Sequence, residues 1–520
     1  MKTVALIVLV LGGLLTVQSW AGITLAPVFG DNMVLQRDLP VPVWGRAQPG
    51  GQIIVEFAGQ KQATRADALG RWRVTLEPLP ASREPRELVA SDASRSALPA
   101  LRLTNILVGE VWLAAGQSNM EWPLAQEVHA ATELPAATNS SLRLLNLTFA
   151  GQHFFARPFG SNELARMNPE TFYAGTWQTC SPASARPFSA IAYYFAQAVQ
   201  RELDVPIGVI HLAVGGSPTE AWIRRAALAG EPALQPMVAG NWLTNAALDG
   251  WCRERGGQNL AAALEAGWAV PGDDLGPNHP FKPGFLWDAG PARLLPFALR
   301  GVLWHQGESN SLEPWRVAQH ERLFPLLVRD WRAQWGQPRL PFLYCQLSSI
   351  STNAGYKAAC WPEFRDQQRR FLDAIPDTAM AVTSDLGHPT DVHPRNKREV
   401  GRRLALAALA RVYGRKGEWS GPLIAAVTRR GAEVVLEFRH ADGLRTTDGQ
   451  PPNGFELAGA SGEFHPASAT LQESRVVLTA ASVPEPEQVR YLWQPFPVPP
   501  QNLVNNAGLP ASTFRVNILP

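Results

Sequence analysis

The run Val111-Trp112-Leu113-Ala114-Ala115 is apolar without alternation and stops at Gly116-Gln117-Ser118. A strand buried on both faces reads this way, and such strands belong to parallel sheets covered by helices. The glycine permits a sharp turn at the strand end. The residues after it can open a helix whose free N–H groups favour developing negative charge. Ligands of open α/β sheets bind at the carboxyl ends of the strands. Ser118 therefore stands where such a sheet can expose a nucleophile.

The rest of the chain fits around that strand. From residue 106 the pattern alternates strand, loop and helix, with strands expected at 106–115, 205–214, 297–304, 342–347 and 379–383. Helices are expected at 186–203 and 396–413. Ile191, Phe195 and Val199 share one face of the first, and Val400, Leu404, Ala408 and Val412 one face of the second. The stretches 121–180 and 215–295 are rich in Pro, Gly, Trp and Asn and read as long excursions over the sheet edge. Residues 22–105 read as all-β: Trp72, Val74 and Leu76 alternate with Arg71, Arg73 and Thr75, the period of a half-buried strand. Residues 417–520 return to β character, with strands at Val434–Phe438 and Val476–Thr479 and a proline-rich stretch that excludes helix. The expected fold is α/β: a three-layer parallel sheet over 106–416, flanked by β-sandwich-like domains at 22–105 and 417–520. At about 150 residues per domain, 520 residues suit two to four domains.

The start of the chain reads as a secretory signal peptide over residues 1–21. Lys2 supplies the positive charge, Val4–Leu15 the apolar run, and Ser19-Trp20-Ala21 a cleavage site after Ala21. The expected product is secreted or periplasmic and soluble, with no membrane association after signal cleavage. A net charge of +2 without a Lys/Arg block gives no reason to expect nucleic acid as a partner. Cys180, Cys252, Cys345 and Cys360 could form up to two disulfides in three connectivities, and they lack metal-site spacing. Cys345 lies in an apolar run and also fits a buried thiol. The 18 tryptophans suit core packing, with a few free to stack on sugar rings.

Two further signals fall near strand ends. Asp391-Val392-His393-Pro394 precedes the helix that starts near Asn396. A serine hydroxyl needs a base, and a carboxylate can fix the imidazole and stabilise its charged form. Gly215-Gly216 and His305-Gln306-Gly307-Glu308 supply donors for a tetrahedral oxyanion: the N–H groups of Ser118 and Gly216 and the side-chain amide of Gln306. Met120 replaces the second glycine of a G-x-S-x-G elbow, so this is not that motif. His388 competes with His393 as base, and Glu308 with Asp391 as its carboxylate.

The ordered blocks Gly116-Gln117-Ser118-Asn119-Met120-Glu121, Gly215-Gly216-Ser217-Pro218-Thr219-Glu220-Ala221-Trp222, Trp304-His305-Gln306-Gly307-Glu308-Ser309-Asn310 and Asp391-Val392-His393-Pro394-Arg395-Asn396-Lys397 resemble the signatures of sialate O-acetylesterases. These belong to the SGNH hydrolase superfamily. Asn502–Ser512 resembles that family's C-terminal segment. The resemblance implies an SGNH-hydrolase-like sheet, with Ser118 as nucleophile, His393 as base, Asp391 as its partner and Gly216 as second oxyanion donor. The third donor is Gln306, with Asn310 as the alternative. It implies an O-acetylated sugar substrate and neither metal nor organic cofactor. Arg224, Arg225 and Arg395 are candidates to meet a sialic acid carboxylate. Two alternatives stay open: an acetyl xylan esterase or other carbohydrate acetylesterase, and a non-catalytic carbohydrate-binding protein, which would have no need of the intact serine, histidine and aspartate. The sugar, the acetylated position and the oligomeric state are not legible.

Overall fold

In the computed structural model the described residues are 22–95 and 97–518; the expected signal peptide lies outside them. The N-terminal part is built from antiparallel strands β1 (Val41–Arg46), β2 (Gln52–Phe57), β3 (Gln60–Arg65), β4 (Arg71–Leu76) and β5 (Ser82–Asp92). In β4, Trp72, Val74 and Leu76 point into the core and the residues between them into solvent, as the alternation requires.

The next strand, β6 (Leu101–Gly116), is 16 residues long. Its first half pairs antiparallel with β5. Its second half is the centre of a larger, mostly parallel sheet. The strand therefore runs unbroken through residues 105 and 106, and one sheet passes through both regions. Its burial pattern changes along its length: exposed residues alternate up to Thr104, and from Ile106 onward all are buried. Glu110 fastens the two regions. Its fully buried carboxylate accepts from Gln36 Nε2 and pairs with Arg37 and Arg300.

After β6 come α1 (Ser118–Glu121), β7 (Asn139–Asn146), β8 (Trp177–Cys180), α2 (Ala190–Leu203), β9 (Ile207–His211), α3 (Gly250–Glu265), β10 (Gly301–His305), α4 (Pro314–Trp335), β11 (Phe342–Cys345), α5 (Trp361–Ala374), β12 (Thr378–Ala381) and α6 (Lys397–Arg411). The sheet order is β8-β7-β9-β6-β10-β11-β12, parallel from β7 to β12 with β8 as an antiparallel edge. Trp112, Ala114, Leu303 and Leu343 face α2 and α6. Leu113, Val302, Trp304 and Phe342 face α4, whose Leu323, Leu327 and Trp331 cover them. That is the expected three-layer arrangement. Ser189 caps α2 by accepting from Ala192 N–H, and Asn396 caps α6 by accepting from Glu399 N–H.

The stretch 121–180, expected as an excursion over the sheet edge, instead contributes β7 and β8 to the sheet itself, and α3, α4 and α5 were not expected. Helix α6 begins where expected, whereas the other helix starts at Ala190 rather than 186, behind a short turn of helix at Pro182–Ala185. The four cysteines are free thiols, so no disulfide forms. Cys180, Cys252 and Cys345 are buried. Among the described residues no helix is long and apolar enough to cross a membrane.

The C-terminal part is two four-stranded antiparallel sheets, Leu423–Arg430, Glu433–Arg439, Ser468–Gln472 and Arg475–Thr479 in one, His465–Pro466, Phe455–Ala458, Gln488–Tyr491 and Phe514–Asn517 in the other. Val434, Leu436, Leu457, Tyr491 and Phe514 fill the space between them. Gln346, just past β11, donates to Ser512 Oγ, and Ser384, just past β12, to Gln501 Oε1. This part is therefore bonded directly to the edge of the sheet that carries the site.

Glu110→Ala leaves Arg37 and Arg300 facing a buried void. Both arginines are about a quarter exposed, so the expected loss is discounted to about 2 kcal/mol from the 3–5 typical of a broken buried pair. Urea unfolding followed by tryptophan fluorescence measures it.

Candidate active site

Gly116 ends β6 at φ +132°, and a Cβ there would lie 2.1 Å from the His305 carbonyl oxygen. Only glycine allows that approach. The next residue uses it: Gln117 N–H donates to the same carbonyl at 2.9 Å. The chain then turns into α1, so Ser118 stands at the carboxyl edge of the sheet. Its backbone N–H has no acceptor among the described residues.

His393 comes from the loop between β12 and α6. Its Nε2 lies 2.8 Å from Ser118 Oγ. Asp391 Oδ1 accepts the His393 backbone N–H at 2.9 Å and lies 3.5 Å from Nδ1. Trp122 stacks on the imidazole, with centroids 5.1 Å apart and planes 22° from parallel. Burial, and then the Lys397 ammonium, hold the histidine below its ordinary pKa, while Asp391 opposes both. His388 does not compete as base. Its Nδ1 accepts from the N–H groups of Thr390 and Asp391 and shapes the loop.

Behind Ser118 and His393 lies a buried polar cluster. Asn119 Nδ2 donates to Glu308 Oε1 and to the Val392 carbonyl, and Asn119 Oδ1 accepts from Lys397 Nζ. Burial pushes Lys397 down to about 7 and raises the Glu308 carboxyl. Both shifts favour uncharged forms. Glu308 accepts from Asn119, whereas the carboxylate 3.5 Å from His393 Nδ1 is that of Asp391.

The oxyanion side is formed by the loop after β9. Gly216 has φ +72°, lines the cavity, and its N–H has no acceptor among the described residues. Glu121 holds this loop: its Oε2 accepts Gly215 N–H at 2.7 Å, and its Oε1 accepts from Gln152 Nε2 at 3.0 Å. Burial raises the Glu121 carboxyl to about 7. Ser309 Oγ donates to the Gly216 carbonyl at 2.8 Å.

These parts close around a cavity of about 990 Å³ that reaches Ser118, Gly216 and His393. A serine hydroxyl in contact with an imidazole, and N–H groups with no acceptor among the described residues, thus meet at one sheet edge, the arrangement acyl transfer requires.

Comparison with known proteins agrees with that chemistry. Residues 290–410 match the family described as "Carbohydrate esterase, sialic acid-specific acetylesterase". The sialate O-acetylesterase of Homo sapiens is 29% identical over 453 residues, covering 80% of this chain and 77% of that protein. The Rattus norvegicus sialate O-acetylesterase is 25% identical over 537 residues, covering 96% and 95%. The crystal structure of a carbohydrate acetylesterase from Xanthomonas citri superposes with a TM-score of 0.78 at 33% identity, covering 95% of this chain and 99% of that one. The chain belongs to the carbohydrate acetylesterase family of that enzyme. It is a carboxylic ester hydrolase.

One expected residue of this esterase is displaced. Gln306 is buried and does not line the cavity. Its Nε2 donates to the Ser217 carbonyl and to Asn310 Oδ1, and its Oε1 accepts from Thr219 Oγ1. With both amide ends engaged it cannot serve as an oxyanion donor. Asn310, the alternative, is fully buried and does not line the cavity; its Oδ1 accepts from Thr219 N–H and its Nδ2 donates to Glu220 Oε2. Both residues brace the loop after β9 against the loop after β10. The sequence signal was read correctly as conspicuous but given the wrong role. Gln117, which was passed over, lines the cavity. Its Oε1 accepts from Gly307 and Ser309 N–H groups, and its Nε2 has no acceptor among the described residues. The arginines singled out earlier also lie elsewhere. Arg224 pairs with Asp330 and Arg225 with Asp274, and none of Arg224, Arg225 and Arg395 lines the cavity.

The electrostatics give a pH prediction. A general base works only when neutral, so activity appears as pH rises through the His393 pKa. Because that pKa is lowered, the acid limb of kcat/KM has its midpoint below the ~6.5 of an ordinary histidine. Asp391 raises the pKa, so Asp391→Asn moves the midpoint lower still and cuts the plateau by about 10²-fold or more. Initial rates of 4-nitrophenyl acetate hydrolysis between pH 4 and 9 test both shifts.

Proposed function

We propose that this esterase removes O-acetyl groups from sialic acids or related sugars through an acyl-enzyme formed on Ser118. The observation that carries the proposal is the 2.8 Å contact between Ser118 Oγ and His393 Nε2, two residues 275 positions apart, at the floor of the cavity. Ser118 Oγ attacks the acetyl carbonyl while His393 Nε2 takes its proton. Asp391 holds the imidazole and stabilises its charged form. The tetrahedral oxyanion rests on the N–H groups of Ser118 and Gly216, with the Gln117 amide in the role first expected of Gln306. The C–O bond to the sugar then breaks, and His393 delivers the proton to the leaving hydroxyl. Water, deprotonated by His393, attacks the acetyl-serine, and acetate leaves as Ser118 recovers its proton.

The Xanthomonas citri carbohydrate acetylesterase is more similar in sequence than the mammalian sialate O-acetylesterases. Of the arginines expected near a sialic acid carboxylate, Arg224 and Arg225 are tied up in ion pairs, and neither they nor Arg395 lines the cavity. Both observations favour a second reading, an acetyl xylan esterase or other carbohydrate acetylesterase with the same catalytic residues. The leader-like start at Lys2 and Val4–Leu15 supports export, to the periplasm or beyond. We further propose that the β-rich parts at 22–105 and 417–520 are domains that buttress the catalytic part.

Ser118→Ala is expected to lower 4-nitrophenyl acetate hydrolysis by at least ~10³-fold with the circular dichroism spectrum unchanged. A near wild-type rate would overturn the assignment. Acetate release from O-acetylated sialic acid and from acetylated xylan, measured side by side, decides the sugar: a higher kcat/KM on the sialic acid supports the first reading.

A further inference from the structure

The cavity has an outer half that the chemistry at Ser118 does not use. Its walls come from the loop around Phe155, the first turns of α3, the residues before α4 and the segment around Tyr356. Two large rings stand open to solvent there, Phe155 at 63% and Trp315 at 44% exposure. Isolated exposed rings are ordinary, but these two line the same cavity as the nucleophile. The wall beneath Phe155 is itself layered. The Arg255 guanidinium lies 3.7 Å from the Phe155 ring centroid and 5.6 Å from that of Trp251. Trp251 in turn stacks on Phe281. Arg255 Nε and Nη1 are buried and make no hydrogen bond. The exposed Phe155 ring thus rests on a layered support of Arg255, Trp251 and Phe281.

The charges around this outer half balance. Arg253, Arg255 and Lys357 are matched by Asp249, Glu254 and Glu313, and Lys357 already pairs with Glu313 at 2.9 Å. A mouth built for an anion carries an excess of one sign. Balanced charges instead offer donors and acceptors to hydroxyl groups. At about 990 Å³ the cavity stands at the top of the ~300–1,000 Å³ usual for small-ligand sites. An acetyl group on one sugar ring fills only part of that space.

We infer that the outer cavity binds the continuation of a glycan chain: the enzyme deacetylates a sugar unit within or at the end of an oligosaccharide, with neighbouring units stacked on Phe155 and Trp315. Sugar rings present a face of C–H groups that packs on an aromatic ring, and their hydroxyls exchange hydrogen bonds with the paired charges at the rim. The inference rests on the proposed acetylesterase reading. It adds a preference for chain length that the catalytic residues alone cannot provide.

The test compares one acetylated sugar in two forms, as a free monosaccharide and within a tetrasaccharide, with 4-nitrophenyl acetate as a third substrate. The wild-type enzyme is expected to show a kcat/KM at least about tenfold higher on the tetrasaccharide, mainly through KM. In the double variant Phe155→Ala/Trp315→Ala that advantage shrinks about tenfold, the scale of two lost aromatic contacts. Because both rings are largely solvent-exposed, a thermal melt close to wild type is expected. Equal kcat/KM of the wild-type enzyme on the two sugars overturns the inference and leaves the esterase reading standing. An equal loss on all three substrates also overturns it, since that marks a structural effect. Hydrolysis of 4-nitrophenyl acetate with neither sugar cleaved removes the acetylesterase reading itself, and the inference with it.

Discussion

The site depends on one side chain that takes no part in the chemistry. Asn119 follows the nucleophile, is fully buried, and is bonded in three directions: to Glu308 beyond β10, to the Val392 carbonyl beside His393, and to Lys397 on the first turn of α6. A serine and a histidine on separate loops meet at hydrogen-bond distance only if those loops are held in register. Strand pairing fixes Ser118 through β6. It cannot fix His393, whose loop is not a strand. Asn119 closes that gap by joining the serine turn to the histidine loop directly. An amide is suited to this position because it can donate and accept at once and carries no charge to desolvate.

The oxyanion side obeys the same logic with a different bond. Gly216 can present its N–H only if its loop is pinned, and a glycine pair has no side chain with which to pin itself. Glu121 does so through Gly215, and Ser309 does so through the Gly216 carbonyl. Gln306, Asn310 and Thr219 tie the loops after β9 and β10 to each other one layer further in. Arg316 on α4 then anchors Glu220 from below, at 2.8 Å. Polar residues so deep in a protein persist because each finds its partners.

Legibility followed the kind of force involved. Five of the six parallel strands were readable because burial on both faces leaves an apolar run that needs no partner to interpret; β7, whose first half is polar, was not. Helices α2 and α6 were readable because their apolar residues repeat at helical spacing. Helix α5 was not: Arg365, Gln367 and Gln368 are buried in it, their polar groups met by Gln494, Val317 and Cys345 carbonyls from distant segments. A pattern rule reads such residues as surface. Helix α3 was hidden by Gly256-Gly257, where Gly256 makes room for Trp242. Ser118, His393 and Gly216 stand out in the sequence because few residue types suit the roles expected of them, and all three line the cavity. Gln306 stands out equally but lies away from the cavity, since an amide donor and an amide brace look identical until their partners are known. Most tryptophans joined the core, among them Trp112, Trp222, Trp304 and Trp331; of the exposed Trp268 and Trp315, only Trp315 lines the cavity.

The two halves of the cavity come from different parts of the chain. The inner half is made by the ends of β6, β9 and β10 and by the loop before α6, where shifting one residue would break a strand pairing or a buried bond. The outer half comes from the Phe155 loop, the start of α3, the residues before α4 and the segment around Tyr356, all outside the strands of the sheet. Changing a residue there alters what fits the mouth without moving Ser118 or His393. A fold divided in this way can keep one acyl-transfer reaction while its sugar changes. The catalytic residues therefore identify the reaction with more force than they identify the substrate, and the residues that choose the sugar belong to the outer wall.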